Sequence, residues 1–167
     1  MLIRYQMRFF FLRQKANLDT TLPPQTKKQV AACCWLLALI GFRSLNLGAV
    51  ENFDETFYIN GRERSADIIA YDPEVNILLI VDCTITQPRK DKINKIKNTS
   101  DYISQKLKDV LAFPVIFCSD TIIYRDESEV SILDKSNVEK LVETVLKGRR
   151  FDAKKLLRQF LIPNNSF

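Results

Sequence analysis

The sequence of 167 residues contains no histidine, and none of its four cysteines stands in a CxxC spacing. These absences argue against an imidazole general base, a Ser-His-Asp triad and a structural zinc site. The cysteines lie in apolar runs, so we expect small buried thiols in a reducing compartment and no disulfide framework. The sequence therefore predicts an intracellular protein of the cytoplasm, the nucleoid or the nucleus.

A long apolar segment is also missing. The longest apolar run spans residues 30–42, which is shorter than the ~20 residues that a membrane-spanning helix needs. It also lies too far from the N-terminus for an ordinary signal peptide. We therefore expect a core helix here and no membrane span.

Positive charge is present and unevenly distributed. The formal net charge is +5, and residues 89–108 hold seven basic and two acidic side chains, so this segment alone accounts for the net charge. Clustered basic residues favour a polyanionic partner, above all nucleic acid. The candidate nucleic-acid-binding residues are Arg89, Lys90, Lys92, Lys95 and Lys97. Further basic residues at 149–158 predict either a second basic patch or the solvated face of a terminal helix.

Periodicity and turn signals predict a single α/β domain at residues 23–167, after an N-terminal extension at residues 1–22. The extension fits an amphipathic helix or an edge strand. Predicted helices span 26–40, 91–111, 136–147 and 151–161, and predicted strands span 56–59, 66–71, 76–84, 114–118 and 130–133. This order indicates a mixed central sheet, with a three-strand antiparallel meander (56–59, 66–71, 76–84) plus further strands, flanked by helices.

Two acids mark the hairpin at residues 66–84. Side-chain alternation places Asp82 on the same face as Leu78 and Ile80, and the hairpin can turn Asp67 toward Asp82. Two carboxylates about 4 Å apart repel by roughly 4 kcal/mol at an effective dielectric of about 20. The pair therefore requires a cation or a trapped proton.

This element order, with one acid on each of two neighbouring strands, resembles the PD-(D/E)XK nuclease superfamily, which has the restriction-endonuclease-like fold. The resemblance implies a metal-dependent nuclease that hydrolyses phosphodiester bonds, with DNA favoured as substrate and Mg²⁺ or Mn²⁺ as cofactor. It assigns the metal to the Asp67 and Asp82 carboxylates and the Cys83 backbone carbonyl. Thr84 stands where the family's lysine is expected, which is a departure from the family pattern.

Some members of the superfamily supply that lysine from the following helix. Lys92 and Lys95 are the candidates here, and their i, i+3 spacing puts them on neighbouring positions of one helix face. Family members often add an acid from the first helix, but residues 25–44 contain none. Glu51, Glu55 and Glu63 are alternative sources of such an acid.

Three classes of function fit these features. The first is the nuclease, with Asp67, Asp82 and Lys92 or Lys95 as catalytic residues. The second is a catalytically inactive module of the same fold that binds nucleic acid or assembles with partner proteins, as Thr84 allows. The third is a plain protein-interaction domain. A homodimer and a partner subunit are both left open.

Overall fold

A computed structural model describes residues 24–46, 56–59, 62–122 and 129–161. The predicted N-terminal extension lies outside these residues, and so does Asn60-Gly61, a pair that is typical of a tight hairpin turn. The helices are α1 (Pro24–Ile40), α2 (Lys90–Lys106), α3 (Lys135–Leu146) and α4 (Arg150–Leu161). The strands are β1 (Arg43–Asn46), β2 (Thr56–Ile59), β3 (Arg62–Ser65), β4 (Ile68–Asp72), β5 (Ile77–Thr84), β6 (Leu111–Cys118) and β7 (Ser131–Leu133).

The main sheet has the strand order β1-β4-β5-β6-β7. Strands β1, β4 and β5 are antiparallel neighbours, whereas β6 runs parallel to β5 and β7 runs parallel to β6. The predicted fold class, a mixed α/β sheet flanked by helices, is confirmed. One strand assignment was wrong, because β2 pairs with β3 in a separate two-stranded sheet and β1 is the antiparallel neighbour of β4.

Helices cover both faces of the main sheet. The larger core packs α1, α3 and α4 against one face, on side chains of β5 such as Leu79 and Val81. The smaller core packs α2 against the other face, where Ile80 and Ile116 meet Ile96. Residues of β5 therefore alternate between two cores, as the alternation of its side chains predicts. None of the helices described is long and apolar enough to cross a membrane.

Helix ends follow local backbone chemistry. Gly41 has φ +116° and ends α1, with the N–H groups of Gly41 and Phe42 donating to the Leu37 carbonyl, as the sequence predicts. Along this helix, Trp35 is 49% exposed, although it lies in the apolar run at residues 30–42 that predicts a core helix. The predicted end of α2 was also wrong, because the helix ends at Lys106 and β6 begins at Leu111.

Candidate active site

Asp67 and Asp82 lie side by side at the start of β4 and near the end of β5. The register pairs Ile68 with Val81, and the Asp67 N–H donates to the Val81 carbonyl at 2.8 Å, so the next position along β5 is Asp82. Asp67 is only 7% exposed. The tight pairing of the hairpin therefore places two acids in one small volume on the α2 side of the sheet.

The two carboxyl groups lie close enough to raise the pKa of Asp67. Burial raises the pKa of Asp67 to about 8, and the neighbouring Asp82 carboxyl adds to that rise. The Cys83 N–H, which donates to Asp67 Oδ2 at 2.6 Å, lowers the pKa only in part. At neutral pH and without a bound cation, the pair therefore keeps a proton. A trapped proton is one of the two ways to offset the repulsion between the carboxylates, and a bound cation is the other.

Lys92 reaches the same point from the first turn of α2. Its Nζ donates to the Cys83 carbonyl at 2.6 Å and lies 3.3 Å from Asp82 Oδ2. Both side chains are partly shielded from solvent, at 32% exposure for Lys92 and 14% for Asp82. Three groups that the resemblance implicates, two carboxyls and one backbone carbonyl, thus converge with one ammonium group.

The remaining basic candidates stand at the start of α2 or farther along it. Arg89 is the N-cap residue and makes no side-chain capping bond. Arg89, Lys90 and Lys95 are exposed. Lys97 instead pairs with Asp101 at 3.0 Å and with Glu129 at 2.7 Å, so its charge is balanced within the chain.

Thr84 does not supply a positive group. Its hydroxyl donates to the Thr86 carbonyl at 2.9 Å, in the turn that follows β5. The structure therefore offers Lys92 as the ammonium group in contact with Asp82. The alternative acids Glu51 and Glu55 lie outside the described residues, and for Glu63 the structure describes only the backbone of β3.

Gln29 of α1 is a supporting residue that the sequence did not reveal. Its Nε2 donates to the Thr84 carbonyl at 2.8 Å and to the Phe117 carbonyl at 3.2 Å, which joins the ends of β5 and β6. Its Oε1 is buried and has no partner in the described part of the chain. Helix α1 packs on the face of the sheet opposite Lys92, so Gln29 holds the end of β5 in place from that opposite face. The family resemblance directs attention to an acid on the first helix, so the neutral side chain of Gln29 gives no signal in the sequence.

The donor atoms at this point fit a magnesium ion. Carboxylate and carbonyl oxygens are the hard ligands that Mg²⁺ prefers, and it needs only one or two protein carboxylates beside water and phosphate. Within the described residues, no three Asp, Glu or Cys side chains form a closed metal cage. The arrangement therefore fits a cation that keeps waters and accepts substrate oxygens, and it lacks the donors of a tightly caged structural ion.

The comparisons with known proteins give one fold-level similarity. No family model and no curated protein matches the chain. Among solved structures, the chain is similar to the small subunit of the heterodimeric restriction endonuclease R.BspD6I. That match has a TM-score of 0.44 and 13% sequence identity, and it covers 84% of this chain and 90% of that one. At this level of similarity no activity or residue role transfers to this chain.

Proposed function

We propose that this chain is a metal-dependent nuclease domain that hydrolyses phosphodiester bonds, with DNA as the favoured substrate. The observation that carries the proposal is the convergence of Asp67, Asp82, the Cys83 carbonyl and the Lys92 ammonium at one point. Two buried acids in one site, one of which must hold a proton when no cation is bound, are costly to keep for structure alone. Their presence beside a segment of strong positive charge supports a site for a cation and a phosphate.

In this proposal the Asp67 and Asp82 carboxylates and the Cys83 carbonyl hold Mg²⁺. The bound ion would lower the pKa of a water molecule and offset charge on the phosphate oxygens. A bound ion would displace the Lys92 ammonium from the Cys83 carbonyl and Asp82 Oδ2. The flexible Lys92 side chain would then hold a phosphate oxygen beside Asp82, where its charge stabilises the negative charge that grows during hydrolysis. The exposed N–H groups at the start of α2, with Arg89 and Lys90, favour the adjacent phosphates.

The direct test measures cleavage of plasmid DNA with Mg²⁺ or Mn²⁺ by the purified chain. Asp82→Asn and Asp67→Asn are expected to lower the rate by at least about a hundredfold, because each removes a charged cation ligand. Unchanged cleavage by Asp82→Asn would contradict the proposal. Calorimetric titration with Mg²⁺ supplies a second readout that does not depend on turnover.

Lys92 and Lys95 provide a matched pair of variants. Lys92→Met should lower cleavage by about 10²-fold or more, since it removes the ammonium group beside Asp82. Lys95→Met removes the same charge one helical turn away and should cost far less. Equal losses in the two variants would show that general charge near the start of α2, and not contact with Asp82, is what matters.

A second candidate function is a catalytically inactive module of the same fold that binds nucleic acid or a partner protein. The contacts of Lys92 favour it, because its ammonium group already lies against Asp82 Oδ2 and the Cys83 carbonyl, two of the atoms that a metal would need. Such a module would bind DNA with a strong dependence on salt. It would show no heat of Mg²⁺ binding and no cleavage.

A further inference from the structure

Six basic residues lie between Lys147 and Arg158, and the structure divides them into two groups of three. In one group, each side chain forms a hydrogen bond or an ion pair with another part of the protein. Arg150 Nε donates to the Ile40 carbonyl at 3.1 Å, Lys154 contacts Asp72 and Glu74, and Arg158 contacts Asp72. Of the two alternatives that the sequence left open for residues 149–158, a second basic patch does not include these three side chains.

The other group gathers on the outside. Lys147, Arg149 and Lys155 line a cleft of about 390 Å³ between α3 and α4, with Asp152 as the one acid among its lining residues. All three are exposed, and none has an ion-pair partner within the part of the chain whose side chains the structure describes. The cleft therefore has an excess of positive charge that the other described side chains do not neutralise. We call it the α3–α4 cleft.

An exposed aromatic ring lies beside the cleft. Phe151 is 81% exposed and stands one helical turn before Lys155, so the two side chains share a face of α4. Leu156 adds a half-buried apolar side chain to the lining of the cleft. Clustered cations beside an open aromatic ring are the combination with which proteins hold single-stranded nucleic acid.

We propose that the α3–α4 cleft binds phosphate groups of a single-stranded nucleic-acid segment while Phe151 stacks on one of its bases. Three cations beside an exposed ring suit a single strand better than a lipid bilayer, because a strand offers both phosphates and bases on which the ring can stack. Helices α3 and α4 pack on the face of the sheet opposite α2. Binding at the cleft therefore needs neither a metal nor Asp82, and this inference goes beyond the proposed cleavage activity.

The test measures fluorescence anisotropy of a labelled oligothymidine of about 12 nucleotides, with the full chain in EDTA and salt from about 50 to 200 mM. The variant Lys147→Gln/Arg149→Gln/Lys155→Gln should bind at least about tenfold more weakly. Its salt slope should fall by about 2, because each lost contact with a single strand contributes about 0.7. Phe151→Ala should bind about tenfold more weakly with its salt slope unchanged.

A matched control removes the same charge from exposed lysines away from the cleft, with Lys106→Gln/Lys108→Gln/Lys135→Gln. The proposal is overturned if this control weakens binding as much as the cleft variant does. It is also overturned if Phe151→Ala has no effect, or if the cleft variant and Phe151→Ala weaken binding of a duplex of the same length as much as they weaken binding of the single strand. If the cleft variant loses binding to phosphatidylserine vesicles but still binds oligothymidine as the unchanged chain does, the cleft is a membrane-binding site and the proposal is overturned. Because EDTA prevents turnover, absence of cleavage leaves this result unaffected.

Discussion

Strand β4 has a buried aspartate at each end, and the two have opposite surroundings. Asp72, the last residue of the strand, is fully buried and accepts bonds from Lys154 Nζ at 2.8 and 2.9 Å and from Arg158 Nη2 at 3.0 Å. Asp67, just before the strand, faces another carboxyl group and one backbone N–H. Two cations thus surround one acid, whereas at the other end a single ammonium group contacts the second acid of a pair.

The pKa values of Asp72 and Asp67 shift in opposite directions because of these different surroundings. Burial alone would raise the pKa of Asp72, but hydrogen bonds from Lys154, Arg158 and the Glu74 N–H outweigh it and hold the pKa below its ordinary value. Burial raises the pKa of Asp67 to about 8, with no comparable set of donors to oppose it. Removing one member of the buried Asp72 cluster should therefore be costly, whereas the proton held by the Asp67–Asp82 pair is one that an external cation can replace.

The Asp72 cluster should give the largest loss of stability. Asp72→Asn leaves Arg158 without its carboxylate and leaves the buried ammonium of Lys154 with only the exposed Glu74 carboxylate at 2.6 Å. We expect the free energy of unfolding to fall by about 3 kcal/mol. Urea unfolding at pH 7 measures it. Lys155→Gln, which changes an exposed lysine at the next position, should stay within about 0.5 kcal/mol of the unchanged protein. A loss as small as this control's would show that the cluster contributes little.

The two ends of β4 also differ in how far the sequence predicts them. Asp67 and Asp82 come together through a hairpin, so alternation along two neighbouring strands suffices to predict their meeting. Spacing on the following helix left Lys92 and Lys95 both open, and the contacts of Lys92 distinguish them. Asp72 meets Lys154 across 82 positions, and no local pattern links a turn aspartate to a lysine on the terminal helix. Strand β1 was missed for a similar reason, because the four residues Arg-Ser-Leu-Asn carry no run of β-branched side chains.

The Asp67 end should give a stability that depends on pH in the metal-free protein. Because the folded pKa of Asp67 is about 8 against an ordinary value of 3.8, the folded state holds a proton that the unfolded state has lost at intermediate pH. Stability should therefore fall as pH rises from about 4 to about 8, by a few kcal/mol, and then level off. Asp67→Asn should remove this slope and be more stable than the unchanged chain at pH 8.

Unfolding curves in EDTA at several pH values test this expectation, and Asp72→Asn supplies the contrast. Loss of a group with a lowered pKa should instead remove stability that is present at neutral pH and disappears in acid. If Asp67→Asn unfolds more easily than the unchanged chain at pH 8, the carboxyl group of Asp67 does not have the raised pKa described above. Adding Mg²⁺ should raise the stability of the unchanged chain at pH 8 and leave Asp67→Asn nearly unaffected.

Gln29 tests whether the site depends on support from the other face of the sheet. Gln29→Ala removes two hydrogen bonds that join the ends of β5 and β6, and we expect a loss of about 1–2 kcal/mol in the free energy of unfolding. Mg²⁺ affinity should fall with it, because Asp82 lies two residues before the carbonyl that Gln29 holds. A stability loss with unchanged affinity would mean that the position of Asp82 does not depend on this contact.

Lys97 should give the smallest effect, although its contacts mirror those of Asp72. It pairs with two acids, Asp101 at 3.0 Å and Glu129 at 2.7 Å, just as Asp72 pairs with two cations. All three side chains are open to water, however, with exposures of 34%, 52% and 75%. Water and salt screen such pairs, and holding long side chains together costs entropy. Lys97→Gln should therefore leave urea unfolding unchanged within error, in low and high salt alike. A loss comparable to that of Asp72→Asn would show that the number of partners, and not burial, makes the Asp72 cluster strong.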